Sequence, residues 1–206
     1  MISICHDYCQ FTLKHYRQYY RCDCLKIYTQ VLVIGDSHAR RLRDQTGNYF
    51  RCREVDITFR CQGGARTSYL KIPQYQQFFD IIMFVIGSND LPDGRSPYSI
   101  FKDVTNYAQE YVNGGFANRV VIMTLLPRND AFYMSRLNQF NHMLITNSND
   151  TVVGWQWSKK LKFHIQFDGV HLTDSAYKKA VKYLGSPIFY FCKPSSKHNK
   201  MRLVAF

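Results

Sequence analysis

Residues 31–38, Val-Leu-Val-Ile-Gly-Asp-Ser-His, constrain this chain more than any other stretch. Four apolar residues, three of them β-branched, run without a polar break into Gly-Asp-Ser. A strand of that kind is covered on both faces, which points to a parallel sheet between helices. Gly35 lets the backbone turn sharply. Ser37 then falls at the carboxyl end of the strand, the edge at which open α/β sheets bind their ligands. A serine at such a strand-to-helix turn can present its hydroxyl to a cleft, with its own N–H beside a helix N-terminus. That suits a nucleophile needing a base on one side and an oxyanion site on the other. Gly-Asp-Ser alone fits an ordinary polar turn equally well, so the rest of the chain decides.

The same alternation of strand and helix continues. Residues 31–36 are predicted as the first strand and 38–45 as a helix carrying Arg40, Arg41 and Arg43. Residues 55–59 alternate like a second strand and run into the glycine turn 61–65. Ile81 to Ile86 is continuously apolar and ends in Gly-Ser-Asn89-Asp. Ser96-Pro97 supplies a cap and a first-turn proline for a helix with Ile100, Val104, Tyr107 and Tyr111 on its apolar face, stopped by Gly114-Gly115. Residues 120–126 form a fourth strand, ended by Pro127-Arg128, and 131–146 an amphipathic helix. A shorter strand is expected over 152–157. After a loop containing Asp168-Gly-Val-His171, Thr173 or Asp174 caps a last helix with Ala176, Tyr177, Ala180, Val181 and Leu184 inward, ended by Gly185. Strands alternating with helices predict an α/β domain with helices on both faces of a parallel sheet.

Three segments follow from this pattern: an appendage over 1–30, one domain over 31–190, and a basic tail over 191–206. The 206 residues suffice for a single α/β domain with a full core. At 46% hydrophobic and 16% aromatic, the composition excludes a disordered chain. No apolar run reaches transmembrane length, and charges at Asp7, Lys14 and Arg17 interrupt the N-terminus, which therefore does not read as a signal peptide. Seven scattered cysteines without an export signal read as mostly reduced thiols, which places the protein inside the cell, in the cytoplasm or the nucleus. Cys5, Cys9, Cys22 and Cys24 have no standard zinc-knuckle spacing, so an aromatic, basic helix over about 7–20 is the expectation there and no metal site is assigned. Net charge is +12. From Lys159 onward there are ten Lys and Arg against two Asp, and residues 192–202 contain no acid. Such a tail suits nucleic acid or an anionic membrane, or simply a solvated end.

Four turns now stand at expected strand ends or before the last helix: Gly35-Asp-Ser37, Gly63-Gly64, Gly87-Ser-Asn89-Asp90 and Asp168-Gly-Val-His171. A parallel sheet brings its strand ends to one edge. Ester hydrolysis needs a hydroxyl nucleophile, a base that titrates near neutral pH, an anion that fixes the imidazole tautomer, and donors aimed at the developing oxyanion. Ser37, His171 and Asp168 can fill the first three roles. The N–H groups of Ser37 and Gly64 and the side-chain amide of Asn89 can be the donors, glycine leaving room for the reacting carbonyl.

These residues resemble the SGNH (GDSL-type) hydrolases, whose name lists serine, glycine, asparagine and histidine from four sequence blocks. The blocks correspond here to Gly35-Asp36-Ser37, to Gly63-Gly64-Ala-Arg-Thr67 with Gly64 as the oxyanion glycine, to Gly87-Ser-Asn89-Asp90, and to Asp168-Gly-Val-His171. They occur in the family's order over about residues 31–186. The second block departs in having Ala65 where an Asp is common. The resemblance implies a three-layer α/β/α domain with a five-stranded, flavodoxin-like parallel sheet, and serine ester hydrolysis with no metal or organic cofactor, on a small-molecule or lipid ester. Gly-Asp-Ser-His, the Pro-Arg after the fourth strand, and Asp-Gly-Val-His-Leu are similar to animal members, some resembling the esterase domain in first-reading-frame proteins of non-LTR retrotransposons. The rival expectation is a protein of this fold with weak or no activity that binds nucleic acid or anionic membrane through its basic surface.

Overall fold

The computed structural model describes residues 28–47, 49–50, 54–71, 77–157 and 164–191. The cysteine-containing segment before residue 28 and the basic tail after 191 lie outside the described residues, as do the expectations attached to them.

Five strands, β1 (Thr29–Gly35), β2 (Val55–Cys61), β3 (Phe79–Val85), β4 (Ala117–Met123) and β5 (Val152–Trp155), form one sheet in the order β2-β1-β3-β4-β5. Every pairing is parallel. The helices are α1 (Ser37–Thr46), α2 (Pro97–Asn113), α3 (Ala131–Thr146) and α4 (Asp174–Phe191). The expected α/β fold with a five-stranded parallel sheet is therefore what the chain adopts.

Side chains alternate across a strand, and that period divides the core in two. Leu32, Ile34, Ile82, Phe84, Val120 and Ile122 point to one face, where they pack on Ile100, Val104 and Tyr111 of α2 and Leu137 and Phe140 of α3. Val31, Val33, Ile81, Met83, Val121 and Met123 point to the other, against Ala39 and Leu42 of α1 and Tyr177, Val181 and Leu184 of α4. No described helix is long and apolar enough to cross a membrane.

Two sequence expectations change. The sharp turn at Gly35 does not account for the glycine by itself: its φ is not positive, and a Cβ there would stand 2.3 Å from the carbonyl oxygen of Val85 and 2.5 Å from Cβ of Ala39. The glycine is needed because β1 and α1 meet β3 at this point. Nor does Gly185 end the last helix, which runs on through Pro187 to Phe191. A Cβ at Gly185 would lie 2.8 Å from the Phe189 ring and 3.3 Å from the rings of Phe50 and Tyr49. The glycine is there for aromatic packing, and burial of Pro187 and Ile188 holds the extra turn against the missing proline donor. Strands β3, β4 and β5 also end earlier than expected, because the last apolar residues of each run stay buried after leaving the ladder.

Candidate active site

Ser37 is the first residue of α1, and Asp36 caps that helix by accepting from the His38 N–H at 2.8 Å. The hydroxyl of Ser37 is thereby fixed at the carboxyl edge of β1. At the same edge, Asp168 and His171 lie in the loop before α4. Asp168 Oδ1 accepts from the backbone N–H of Val170 and of His171, both at 2.9 Å. Gly169, at φ 70°, allows the turn between them, and its carbonyl accepts from the Asn129 N–H at 2.8 Å, tying the loop to the residues after β4. Thr173 Oγ1 accepts from the Ala176 N–H at 3.4 Å and starts α4 behind the loop.

The other oxygen of Asp168 lies 2.7 Å from His171 Nδ1, and His171 Nε2 lies 2.9 Å from Ser37 Oγ. An ionised carboxylate only accepts, so Nδ1 carries the proton and Nε2 is left to accept from the serine hydroxyl. The hydrogen bonds from the His171 backbone and ring, and from the Val170 N–H, hold the Asp168 carboxyl well below its ordinary range. The three residues named from sequence are thus in hydrogen-bond contact in the order Ser37, His171, Asp168.

The remaining named residues converge on the same place. Gly64 has φ 71°, and nothing stands within 4 Å of where its Cβ would be. Conformation, as well as room for a ligand, calls for glycine here. The Asn89 side-chain amide donates to the carbonyl of Ala65 at 3.0 Å and lies 3.5 Å from Asp36 Oδ2. Asn89 is therefore beside both the Gly64 turn and the Ser37 turn.

Sequence reading missed the polar layer underneath. Asp36 is buried and also accepts from the Ser88 hydroxyl at 2.6 Å. Burial pushes its carboxyl up, opposed by the Ser88 hydroxyl, the His38 N–H and the charge of Arg128. Arg128 donates to Ser88 Oγ and to Asn89 Oδ1, both at 3.1 Å, and lies over the Tyr133 ring. Because Arg128 occupies the Asn89 oxygen, the amide nitrogen must face the Gly64 turn. Asp90 ties the second and third motifs together, accepting from Thr67 N at 3.0 Å, Thr67 Oγ1 at 2.9 Å and Arg95 Nη1 at 2.8 Å. His38 is buried beside the site, its Nδ1 2.6 Å from the Tyr177 hydroxyl and its ring 5.3 Å from that of His171. Burial pushes its imidazole down to about 3, so His38 is neutral. The Pro-Arg and Gly-Ser-Asn-Asp strings carried a signal for Arg128, Ser88 and Asp90. The Gly-Asp-Ser-His string included His38, but nothing local showed that its ring would be buried. Cys61, the one cysteine among the described residues, is a free thiol that burial pushes up to about 11.

No protein-family model matches the sequence, and no curated protein matches it. Solved structures share the fold across most of the chain. A Streptococcus pneumonia protein provisionally named for platelet activating factor is 19% identical, with a TM-score of 0.62 over 92% of this chain and 91% of that one. A lipolytic protein of the G-D-S-L family from Veillonella parvula is 13% identical, with a TM-score of 0.60 over 78% and 98%. The psychrotrophic esterase EstA from a Pseudoalteromonas species is 14% identical, with a TM-score of 0.55 over 79% and 98%. At these identities the likeness is one of architecture. The chain has the fold of the SGNH/GDSL hydrolases.

Proposed function

We propose that this protein is a serine esterase that hydrolyses carboxylic esters, acyl or acetyl, with Ser37 as nucleophile. The observation that carries the reading is the hydrogen-bonded line Ser37 Oγ, His171, Asp168, at 2.9 and 2.7 Å, formed by residues from opposite ends of the domain. The structural neighbours described as lipolytic and as esterases support hydrolysis as the chemistry of the fold.

In this reading Ser37 Oγ attacks the ester carbonyl while its proton passes to His171 Nε2, and Asp168 steadies the imidazolium. The new oxyanion is received by the N–H groups of Ser37 and Gly64 and by the Asn89 amide, which trades its bond to the Ala65 carbonyl for one to the oxyanion. The C–O bond to the alcohol then breaks, and His171 returns its proton to the departing oxygen. Water repeats the sequence on the acyl-enzyme: His171 takes its proton, hydroxide adds, and Ser37 leaves reprotonated with the carboxylic acid released. The scheme calls on no metal or organic cofactor. The substrate in this reading is a small-molecule or a lipid ester.

Turnover of 4-nitrophenyl acetate by the wild type and by Ser37→Ala tests the reading. Release of nitrophenol should fall to near the uncatalysed rate in the variant. Equal rates in the two proteins would overturn it.

A further inference from the structure

Ser37 opens α1, so the residues three and four positions on share its helix face. Those residues are Arg40 and Arg41. Helical side chains lean toward the N-terminus, which here is the end that carries Ser37. The Arg40 guanidinium lies against the Gly63-Gly64 turn: a Cβ built on Gly63 would stand 3.7 Å from Arg40 Nη1. The Arg41 guanidinium reaches the other way, its Nη1 3.5 Å from Oε1 of Gln166, two residues before Asp168. The two cations thus flank the serine, one at the oxyanion turn and one at the histidine loop.

Neither is neutralised by a carboxylate among the described residues; Arg60, Arg119, Arg128 and Arg136 also lack one, but each of those four guanidiniums donates to a carbonyl, a hydroxyl or an amide oxygen away from the Ser37 helix face. Among the described residues, Arg43 pairs with Asp44, Arg66 with Asp93, and Arg95 with Asp90 and Asp103. Neither Arg40 nor Arg41 has such a pair, and Arg41 Nε is shut from solvent without a hydrogen-bond partner. The carboxylates near Ser37 are already engaged. Asp168 holds His171, and Asp36 lies buried under Ser88 with the charge of Arg128 close by. Among the described residues, the sheet edge that carries Ser37 therefore holds two cations without a carboxylate partner, one against the Gly63-Gly64 turn and one against the loop of His171.

We propose that the ester taken by this site carries an anionic group, carboxylate or phosphate, and that Arg40 and Arg41 receive it. Arginine suits that task because its planar fork matches the oxygens of either anion. The inference rests on the esterase reading above and adds the charge class of the substrate. Arg40 is exposed and Arg41 half-buried, so the preference is electrostatic and partly screened, and salt should weaken it.

Three acetate esters test it on the full chain: neutral 4-acetoxybenzamide, 4-acetoxybenzoate and 4-acetoxyphenyl phosphate. Each kcat/KM is divided by the ester's own alkaline hydrolysis rate. At low salt at least one charged ester should exceed the neutral one by about three- to tenfold, chiefly through KM, with the two charged esters telling carboxylate from phosphate. Arg40→Gln with Arg41→Gln should bring that ratio close to one, and Arg40→Lys with Arg41→Lys should keep most of it. A ratio near one in the wild type, with all three esters hydrolysed, overturns the anionic preference and leaves the esterase reading standing. A ratio unchanged by the glutamine pair overturns the assignment to these arginines. Hydrolysis of none of the three overturns both readings together.

Discussion

His171 Nε2 lies 2.9 Å from Ser37 Oγ although 134 positions separate the two residues in the chain. The contact exists because β1 and the loop before α4 end at the same edge of the sheet, where α1 and α4 pack side by side through Leu42, Tyr177 and Leu184. Neither residue has this neighbour by virtue of local sequence.

Replacing His171 by Ala should lower kcat for 4-nitrophenyl acetate by about a thousandfold or more, since Ser37 then loses its proton acceptor. Asp168→Asn should cost the same or less. An amide at 168 can donate to Nδ1 and leave the wrong ring nitrogen protonated. Steady-state kinetics on the two variants, with thermal melts to show that both fold, check this.

Asn89→Ala should lower kcat by about 100- to 1,000-fold with a smaller effect on KM, because the amide is asked to donate to charge that exists only in the transition state. Arg128→Met should act on the same step through Asn89, whose Oδ1 it holds at 3.1 Å. Its loss frees the amide to rotate, so kcat should fall and KM change little. A melting temperature that drops sharply in Asn89→Ala while kcat stays constant would make Asn89 a structural residue.

Much of this arrangement was legible in the sequence. Unbroken apolar runs such as Ile81 to Ile86 reveal strands covered on both faces, and the four polar turns can be placed at strand ends by counting. The rest depended on distance in space. That Gly35 is required by the Val85 carbonyl, and Gly185 by three aromatic rings, follows from contacts across the fold. Asp36 read as one letter of a motif, yet its buried carboxyl organises His38, Ser88 and Asn89. Arg128 could be noticed after the fourth strand, but its grip on Asn89 could not. Strand limits shifted because burial outlasts ladder pairing at Leu125 and Leu126.

Gly35→Ala should destabilise the protein by about 2–3 kcal/mol, the cost of forcing an extra methyl into a tight core. The atom it meets at 2.3 Å is backbone oxygen of a central strand, which cannot swing aside as a side chain would. Urea unfolding followed by circular dichroism measures it. A variant as stable as the wild type would show that β1 and β3 can separate here without cost.

Stability should fall with acid in a way that depends on His38. Burial holds its imidazole down to about 3, against about 6.5 in an unfolded chain. Below about pH 6.5 the unfolded chain therefore binds a proton that the folded protein refuses until about pH 3. Stability is full above that window and declines as pH drops through it, with a slope approaching about 1.4 kcal/mol per pH unit. Unfolding free energies of the wild type and His38→Gln between pH 7 and pH 4.5, above the range in which most carboxylates titrate, isolate the effect. The variant should show the shallower slope.

In the proposed reaction everything depends on Ser37 Oγ being a nucleophile activated by His171. The most direct measurement is mass-spectrometric mapping of the adduct formed with a fluorophosphonate probe. A phosphonylated serine mimics the tetrahedral intermediate and forms quickly only at an activated hydroxyl. One stoichiometric adduct is expected, on Ser37, absent from Ser37→Ala and formed far more slowly in His171→Ala. An adduct on another residue, or labelling at the same rate without His171, would contradict it.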